Sequence, residues 1–572
     1  MLTDEKVFRH KNSLLREVSK KWIFFFILQI VTVIINLRGE RGIHMLRIFY
    51  KKRRSKKKFS KISNQFVKDS SDVTKCIVDN LSSLKKIFGK TDDVLFKEFE
   101  VFFHESKKVF ICFLDGMVNE DYINAHILKP LMEPNFANGC SNEESLLTII
   151  KKRILTATTV QELKKMDKVV ESVLSGETVL FINGFNIAIS VSTQGFESRS
   201  VEEPETESNV RGPRDGFNEV LKVNTMLIRR KIQNPNLIFE DMKIGKQTKT
   251  NIRIGYIEGI ANTKVVEEVR KRLQRIDTDA ILESGYIEQF IEDSPFSLFP
   301  TIGSSEKPNK IAAKLLEGRV AVICDGTPFV LTIPFLFIEG LQVEEDYYSR
   351  PVFASFMRLL RLLALFISIA TPPFYVALTT YHQEMVPSLL LATMAAAEER
   401  VPFPIFIEAL IMSIAFHLIK EAGVRMPKPV GSAISIVGAL VVGEAAVQAG
   451  LVSTPMVIVV AITGICEFVV AAFIDAVILS RIFLLFLAGT FGLFGILMGF
   501  LVILGHLCSL SSYGTPYLTP QAPIIWSEWK DSIIRLPLWL FKSRPQSITR
   551  KASRREGNNN KPTSPITSKG ED

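Results

Sequence analysis

Residues 353–510 form a nearly unbroken series of apolar blocks divided by short polar breaks. At helical rise each block comes close to the roughly 20 residues that cross a bilayer's hydrocarbon core. An integral membrane protein is therefore the first expectation, with a large polar region before the apolar stretch and a basic tail after it. Five helices are expected, at 353–378, 404–420, 430–450, 455–479 and 482–509. Arg358 and Arg361 mark the start of the first. The run at 386–397 is too short to span and suits an interfacial or re-entrant helix. Five spans would set the basic tail opposite the basic N-terminal region, against the positive-inside rule. Either one segment does not cross, or residues 523–541, with Trp526, Trp529 and Trp539, return the chain along the interface.

Ionisable residues inside these helices are few: Glu408, His417, Glu444, Glu467, Asp475 and His506. A charge at a helix centre costs on the order of 2.5–3.5 kcal/mol on the insertion scale, so each is expected to face a bundle interior or water. The helix at 430–450 is rich in Gly, Ala and Ser, which permits close helix approach or narrow pore packing. At helical spacing Val437, Val441, Glu444 and Gln448 share one face. An apolar constriction beside a carboxylate and an amide suits a dewetting, cation-conducting gate. Plain helix packing around one buried polar pair suits the same residues.

The formal net charge of +10 accompanies a mean hydropathy of +0.20. The positive charge concentrates at 51–58 and in the tail at 542–569. Beside a membrane domain such clusters favour the cytoplasmic face and anionic lipid over nucleic acid. The six cysteines are scattered, without a CxxC pair, so neither a zinc site nor a redox motif is indicated. Residues 22–37 form an apolar run after Lys20 and Lys21, short for a span, and Met45 offers a second plausible start. Residues 1–44 read either as an upstream extension from a misplaced start or as an N-terminal anchor.

The polar region repeats itself. An apolar run at 109–114 ends at Asp115-Gly116. Another at 176–182 leads to Asn183-Gly184, a hairpin signal between apolar runs. A second copy follows: 252–257 ending at Glu258-Gly259, then 318–324 leading to Asp325-Gly326. The acidic-Gly turn precedes Gly176 by 60 residues and Gly318 by 59, and each Asx-Gly turn lies seven residues further on. Asn119 and Asn262 stand at matching places. Two duplicated α/β units are expected, each a strand, helices and a hairpin. Residues 197–219 between them are charged and carry Gly and Pro, which suits a solvated linker or an inter-subunit contact or ligand loop.

Enzyme motifs are absent: no GxxxxGK[ST], HExxH or GxSxG occurs. Catalysis, ATP drive and a cofactor are not expected. A secondary transporter is disfavoured because no inverted repeat is visible among the helices.

Several motifs together carry a family resemblance. They are Glu203-Pro204 with Glu207; Arg211-Gly212-Pro213-Arg214-Asp215-Gly216-Phe217; Gly318-Arg319-Val320 with Asp325-Gly326-Thr327-Pro328-Phe329; Glu345-Asp346-Tyr347-Tyr348; and Glu421-Ala422-Gly423-Val424-Arg425-Met426-Pro427. Over about residues 45–545 the chain resembles the A subunits of GerA-family spore germination receptors. The resemblance implies a multi-pass protein of the spore inner membrane, its N-terminal region on the core side. It implies a B-type subunit that senses nutrient and a C-type lipoprotein as partners. It also implies a homo-oligomer, expected to be a pentamer, that conducts cations when nutrient binds. On that reading Val437, Val441, Glu444 and Gln448 line the pore, and Arg211, Gly212, Pro213, Arg214, Asp215, Gly216 and Phe217 shift from linker towards assembly or gating contacts. No nutrient-binding residue is carried over, because that role falls to another subunit. A non-conducting scaffold for the sensing subunit, and the related A-type subunit encoded with dipicolinic-acid channel genes, are the alternatives.

The expected order is thus an extension at 1–44, a basic juxtamembrane segment at 45–60 and a first α/β subdomain at 61–196. A charged inter-unit motif at 197–219 and a second α/β subdomain at 220–349 follow. The transmembrane domain occupies 350–512, an interfacial segment 513–545, and a disordered basic tail 546–572.

Overall fold

Both expected units build five-stranded antiparallel sheets, and the two sheets share one strand order. The first contains β1 (Val94–Phe102), β2 (Ser106–Leu114), β3 (Val160–Leu163), β4 (Thr178–Ile182) and β5 (Ala188–Val191), arranged β1-β2-β4-β5-β3. The second contains β6 (Leu237–Ile244), β7 (Thr250–Ile257), β8 (Gly303–Ser305), β9 (Val320–Cys324) and β10 (Val330–Ile333), arranged β6-β7-β9-β10-β8. The computed structural model describes residues 71–102, 106–132, 160–195, 204, 207, 209–425, 441–549 and 554–555. The segments expected at 1–44 and 45–60, Glu203, residues 430–440 with Val437, and residues 556–572 of the tail lie outside the described residues.

The duplication extends to the helices. Helix α1 (Ile77–Phe88) precedes the first sheet and α2 (Met166–Leu174) precedes β4; α3 (Leu221–Lys231) precedes the second sheet and α6 (Pro308–Leu316) precedes β9. Between them in the second unit run α4 (Thr263–Gln274) and α5 (Ser284–Ile291). The matching asparagines do the same work. Asn119 Oδ1 accepts the Tyr122 N–H at 2.9 Å and Asn262 Oδ1 accepts the Lys264 N–H at 3.2 Å, so each caps a helix N-terminus that would otherwise leave donors unpaired. The Asx-Gly signals open longer loops than a two-residue turn: pairing across them resumes only at Ala188 and Leu331. Phe185, in the first of these loops, is buried.

One core joins the units. Leu84, Val169, Leu227 and Ile311 from α1, α2, α3 and α6 share it with Phe110 and Phe181 of the first sheet and Phe239 and Ile323 of the second. Inside it, buried Arg229 of α3 donates to Asp93 just before β1, at 2.9 Å from Nη2 to Oδ2. Burying both charges is tolerable because each is paired and hydrogen-bonded.

The helical part begins with α7 (Pro351–Tyr381), then α8 (Ser388–Glu398), α9 (Ile405–Arg425), α10 (Thr454–Val469) and α11 (Ile474–Ser509). Among the described residues two stretches, Pro351–Tyr381 and Ala471–Ser509, are long and apolar enough to cross a membrane. The expected break at 480–481 is displaced. The chain breaks at Val470–Phe473, and Ser480 and Arg481 lie buried within α11. The reason is that Arg481 has a carboxylate partner, described below, and therefore need not stay at a helix end.

Helix α11 is not one rod. Its 36 residues would span about 54 Å if straight. Yet the segment 335–340 meets both ends of it: Phe473 packs on Gly340, and the Phe335 N–H donates to Ser512 Oγ at 3.1 Å. A Cβ at Gly499 would lie 2.9 Å from Leu487 Cδ1, although the two are twelve residues apart. The chain reverses at Gly492, whose φ of 60° and ψ of −142° are non-helical. Two antiparallel legs, 474–491 and 493–509, result. This corrects the single span expected at 482–509.

The reversal defines two ends of the bundle. At the near end lie the α/β units. At the far end Tyr381, the last residue of α7, donates its hydroxyl to the Gly489 carbonyl at 2.7 Å beside the reversal. Helix α9 starts at the far end, with Phe406 against Gly489, and α10 starts there too, with the Ser453 N–H on Glu408 Oε1 at 2.5 Å. After the second leg, Ser512 Oγ donates to the Thr301 carbonyl at 2.7 Å and Arg544 Nε to the Leu316 carbonyl at 2.8 Å. The segment after α11 therefore packs on the second α/β unit.

An L residue in the Gly492 conformation costs on the order of 1–3 kcal/mol, and its Cβ would sit 2.8 Å from His382 Cε1. Gly492→Val is thus expected to lower the thermal midpoint of the purified full chain in detergent. Gly505→Ala, on the second leg with open space around it, is expected to leave that midpoint within a degree or so.

Candidate functional site

The inter-unit motif docks rather than dangles. Phe217 is buried in the core shared by both units, and its N–H donates to the Glu306 carbonyl at 2.8 Å. Gly216 is buried, Asp215 pairs with Lys231 at 3.4 Å, and Arg211, Gly212, Pro213 and Arg214 are exposed. Gly212 has φ 141°, and a Cβ there would meet the Tyr348 ring at 2.7 Å. Upstream, Glu207 accepts from Ser305 Oγ at 2.5 Å and from Lys310 Nζ at 2.6 Å. Burial pushes the Glu207 carboxyl up, but Lys310, Ser305 and Lys307 outweigh it and hold it below the ordinary carboxylate value. Lys307 Nζ donates to Asn209 Oδ1 at 2.7 Å, while Asn209 Nδ2 and the Tyr348 hydroxyl both reach Glu344. The motif therefore ties the second unit to residues 344–348, the approach to α7.

That approach is clamped in turn. Buried Asp346 accepts from Arg358 Nε at 3.0 Å and from both terminal nitrogens of Arg361 at 2.9 Å. Arg358 and Arg361 sit three residues apart on one face of α7. Arg358 Nη1 also donates to Asp531 Oδ1 at 3.0 Å and to the Ser532 carbonyl at 2.9 Å. Tyr347 donates its hydroxyl to Asp531 Oδ2 at 3.0 Å, and Arg535 donates to the Tyr347 and Ser349 carbonyls at 3.2 and 3.0 Å. Bidentate guanidinium–carboxylate pairs fix orientation as well as distance. They hold the approach segment, the start of α7 and the segment after α11 as one joint.

Deeper in the bundle, four helices meet at a second charged cluster. Glu467 of α10 is buried; its Oε1 accepts from Lys420 Nζ of α9 at 2.6 Å and its Oε2 from Arg481 Nη2 of α11 at 3.2 Å. Arg481 Nη2 also lies 2.6 Å from His417 Nε2, and Nη1 donates to the Ser368 carbonyl of α7 at 3.3 Å. Charges this deep are tolerated only when paired and turned inward, and here one carboxylate serves two cations. Sequence reading singled out Glu467 and His417 but missed Arg481 and Lys420. The available signal was an arginine flanked on both sides by apolar helix, which demands a partner.

The remaining expected positions are dispersed. Glu444 and Gln448 are exposed in this single chain, with Gln448 Nε2 donating to Glu444 Oε1 at 3.1 Å. Val441 opens the described turn at Val441–Ala445. Glu408 accepts the Ser453 N–H at the far end, His506 Nε2 lies 3.0 Å from Ser297 Oγ at the near end, and Asp475 is exposed.

Comparison with known proteins places this architecture. Residues 82–547 match the profile of the "Bacillus/Clostridium GerA spore germination protein" family. The chain is 43% identical over 500 residues to spore germination protein KA of Bacillus subtilis (strain 168), covering 87% of this chain and 91% of that one. It is 37% identical over 477 residues to spore germination protein GerLA of Bacillus cereus, covering 83% and 96%. Among solved structures it matches the N-terminal domain of the A subunit of the Bacillus megaterium spore germinant receptor GerK3. That match has 36% identity and a TM-score of 0.38, over 47% of this chain and 98% of that one.

Removing one member of a buried ion cluster costs about 3–5 kcal/mol. Glu467→Gln, which strands Lys420 and Arg481, is expected to lower the unfolding midpoint far more than Asp475→Asn, where about 0.5 kcal/mol or less is at stake. Gly212→Val and Tyr348→Ala are expected to be non-additive in a double-mutant cycle on stability, because removing the ring vacates the space the new side chain needs.

Proposed function

The chain belongs to the GerA family of spore germination proteins, and from this premise we propose that it is the membrane subunit of a nutrient-responsive germination receptor that assembles, as a pentamer, into a gated ion channel. On this reading it has a non-enzymatic role in the spore inner membrane, with the α/β units on the core side. It works with a B-type subunit that senses nutrient and a C-type lipoprotein, and releases cations at the start of germination.

The observation that carries the proposal is the outward exposure of Glu444 and Gln448 on the small-residue stretch. The described part of that stretch reaches the far end of the bundle at Gly450, beside the Arg400 carbonyl. A carboxylate and an amide facing away from the protomer suit a position around an axis between copies. The Arg211–Phe217 motif, docked on the approach to α7, is the proposed relay between assembly of the α/β units and the bundle.

The test is made in spores and in reconstituted vesicles. Val437→Ala or Val441→Ala is expected to widen an apolar constriction and raise ion leak and spontaneous germination. Glu444→Gln is expected to reduce nutrient-triggered cation release. If all three variants leave leak, spontaneous germination and triggered release at wild-type levels, the subunit is a non-conducting scaffold for its sensing partner.

A further inference from the structure

We propose that the loop at residues 294–299 of the second α/β unit lies in the interfacial layer of the bilayer, with Phe296 and Leu298 among the lipid headgroups and upper acyl chains. The inference rests on the reading that α7 and the two legs of α11 span the membrane.

The loop follows α5 and is held rigidly on both sides. Asp293 accepts the Tyr513 N–H at 2.8 Å and pairs with Arg272 at 2.5 Å. Glu292 Oε1 accepts the Thr301 N–H at 3.1 Å. Within this frame Phe299 turns inward, against the rings of Phe473 at 6.2 Å and His506 at 6.3 Å. Phe296 and Leu298 turn outward, 96% and 41% exposed. A large aromatic fully exposed on a pinned loop is not a product of slack. Among the described residues nothing packs over it.

The level of the loop identifies what covers it. Ser297 Oγ lies 3.0 Å from His506 Nε2, and His506 is three residues from the end of α11 at Ser509. The loop therefore stands alongside the last turn of a leg whose Leu501 and Leu504 are themselves exposed. Those leucines face acyl chains if the leg spans, and His506 sets the loop at the level of that leg's last turn. Phe290 of α5, just ahead of the loop in sequence, is exposed as well. Serine, proline and phenylalanine at the level of a helix end form an amphipathic rim suited to the headgroup boundary. Leu282, before α5, lies beside Gly326 at the opposite end of the sheet and serves as an aqueous reference.

The photoreactive residue p-benzoyl-phenylalanine is introduced singly in place of Phe296, Leu501 or Leu282 in the full chain. Each protein is reconstituted in vesicles of phosphatidylglycerol and phosphatidylethanolamine, irradiated, and examined by intact mass. Phospholipid adducts are expected at Phe296 and Leu501, with a yield about tenfold above that at Leu282 for a residue held at the headgroup boundary. Adducts at Leu501 with Phe296 no higher than Leu282 overturn the inference and leave the membrane reading standing. Crosslinks from Phe296 to a second copy of the chain also overturn it, assigning the rim to a protomer interface. A Leu501 site without lipid adducts overturns the membrane reading and this inference with it.

Discussion

A single carboxylate, Glu467, allows the bundle to hold two cations in apolar surroundings. Lys420 and Arg481 arrive from different helices and could each be buried only at large cost. Meeting at Glu467, with His417 and the Ser368 carbonyl completing the coordination, they bring α7, α9, α10 and α11 to one point. Apolar packing between membrane helices is weakly directional because lipid competes for the same surfaces. The cluster supplies the register that such packing lacks. It also explains why α11 runs through Ser480 and Arg481 without a break.

A second charged joint lies where the bundle meets the α/β units. Asp346, with Arg358 and Arg361, anchors the start of α7, and Asp531 extends the anchor to the segment after α11. The inter-unit motif reaches the same joint through Glu344 and Tyr348. A path of hydrogen bonds and ion pairs thus runs from the inter-unit motif through residues 344–348 to the start of α7. The path makes coupling between assembly and bundle physically available, and a two-state element that both sites bias would make it allosteric.

Much of the α/β region was legible because its signals are local. The Asx-Gly turns, the paired glycine spacings and the capping asparagines report backbone conformations that few residues tolerate, and they identified the duplication before the matching sheet orders did. The inter-unit motif was harder. Its charges read as a solvated linker, while Phe217, one apolar residue among them, is what buries it. In the bundle two features were hidden. Arg481 looked like a boundary because unpaired charge ends a span, and its partner Glu467 lies fourteen residues away across a helix break. Gly492 was indistinguishable from the glycines common in membrane helices; only contacts between residues far apart in sequence expose the reversal.

The reversal at Gly492 sets a length. Its legs, at 474–491 and 493–509, reach about 27 and 25 Å at helical rise, while a typical hydrocarbon core is about 30 Å thick. Helix α7, with 31 residues, reaches about 46 Å. On the reading that both span, a bilayer of uniform thickness cannot match both at zero tilt: α7 leans or extends beyond the core, or the lipid around the reversal thins. On that same reading, compressing or loosening the lipid changes the elastic cost of the short hairpin and of the long helix in opposite directions.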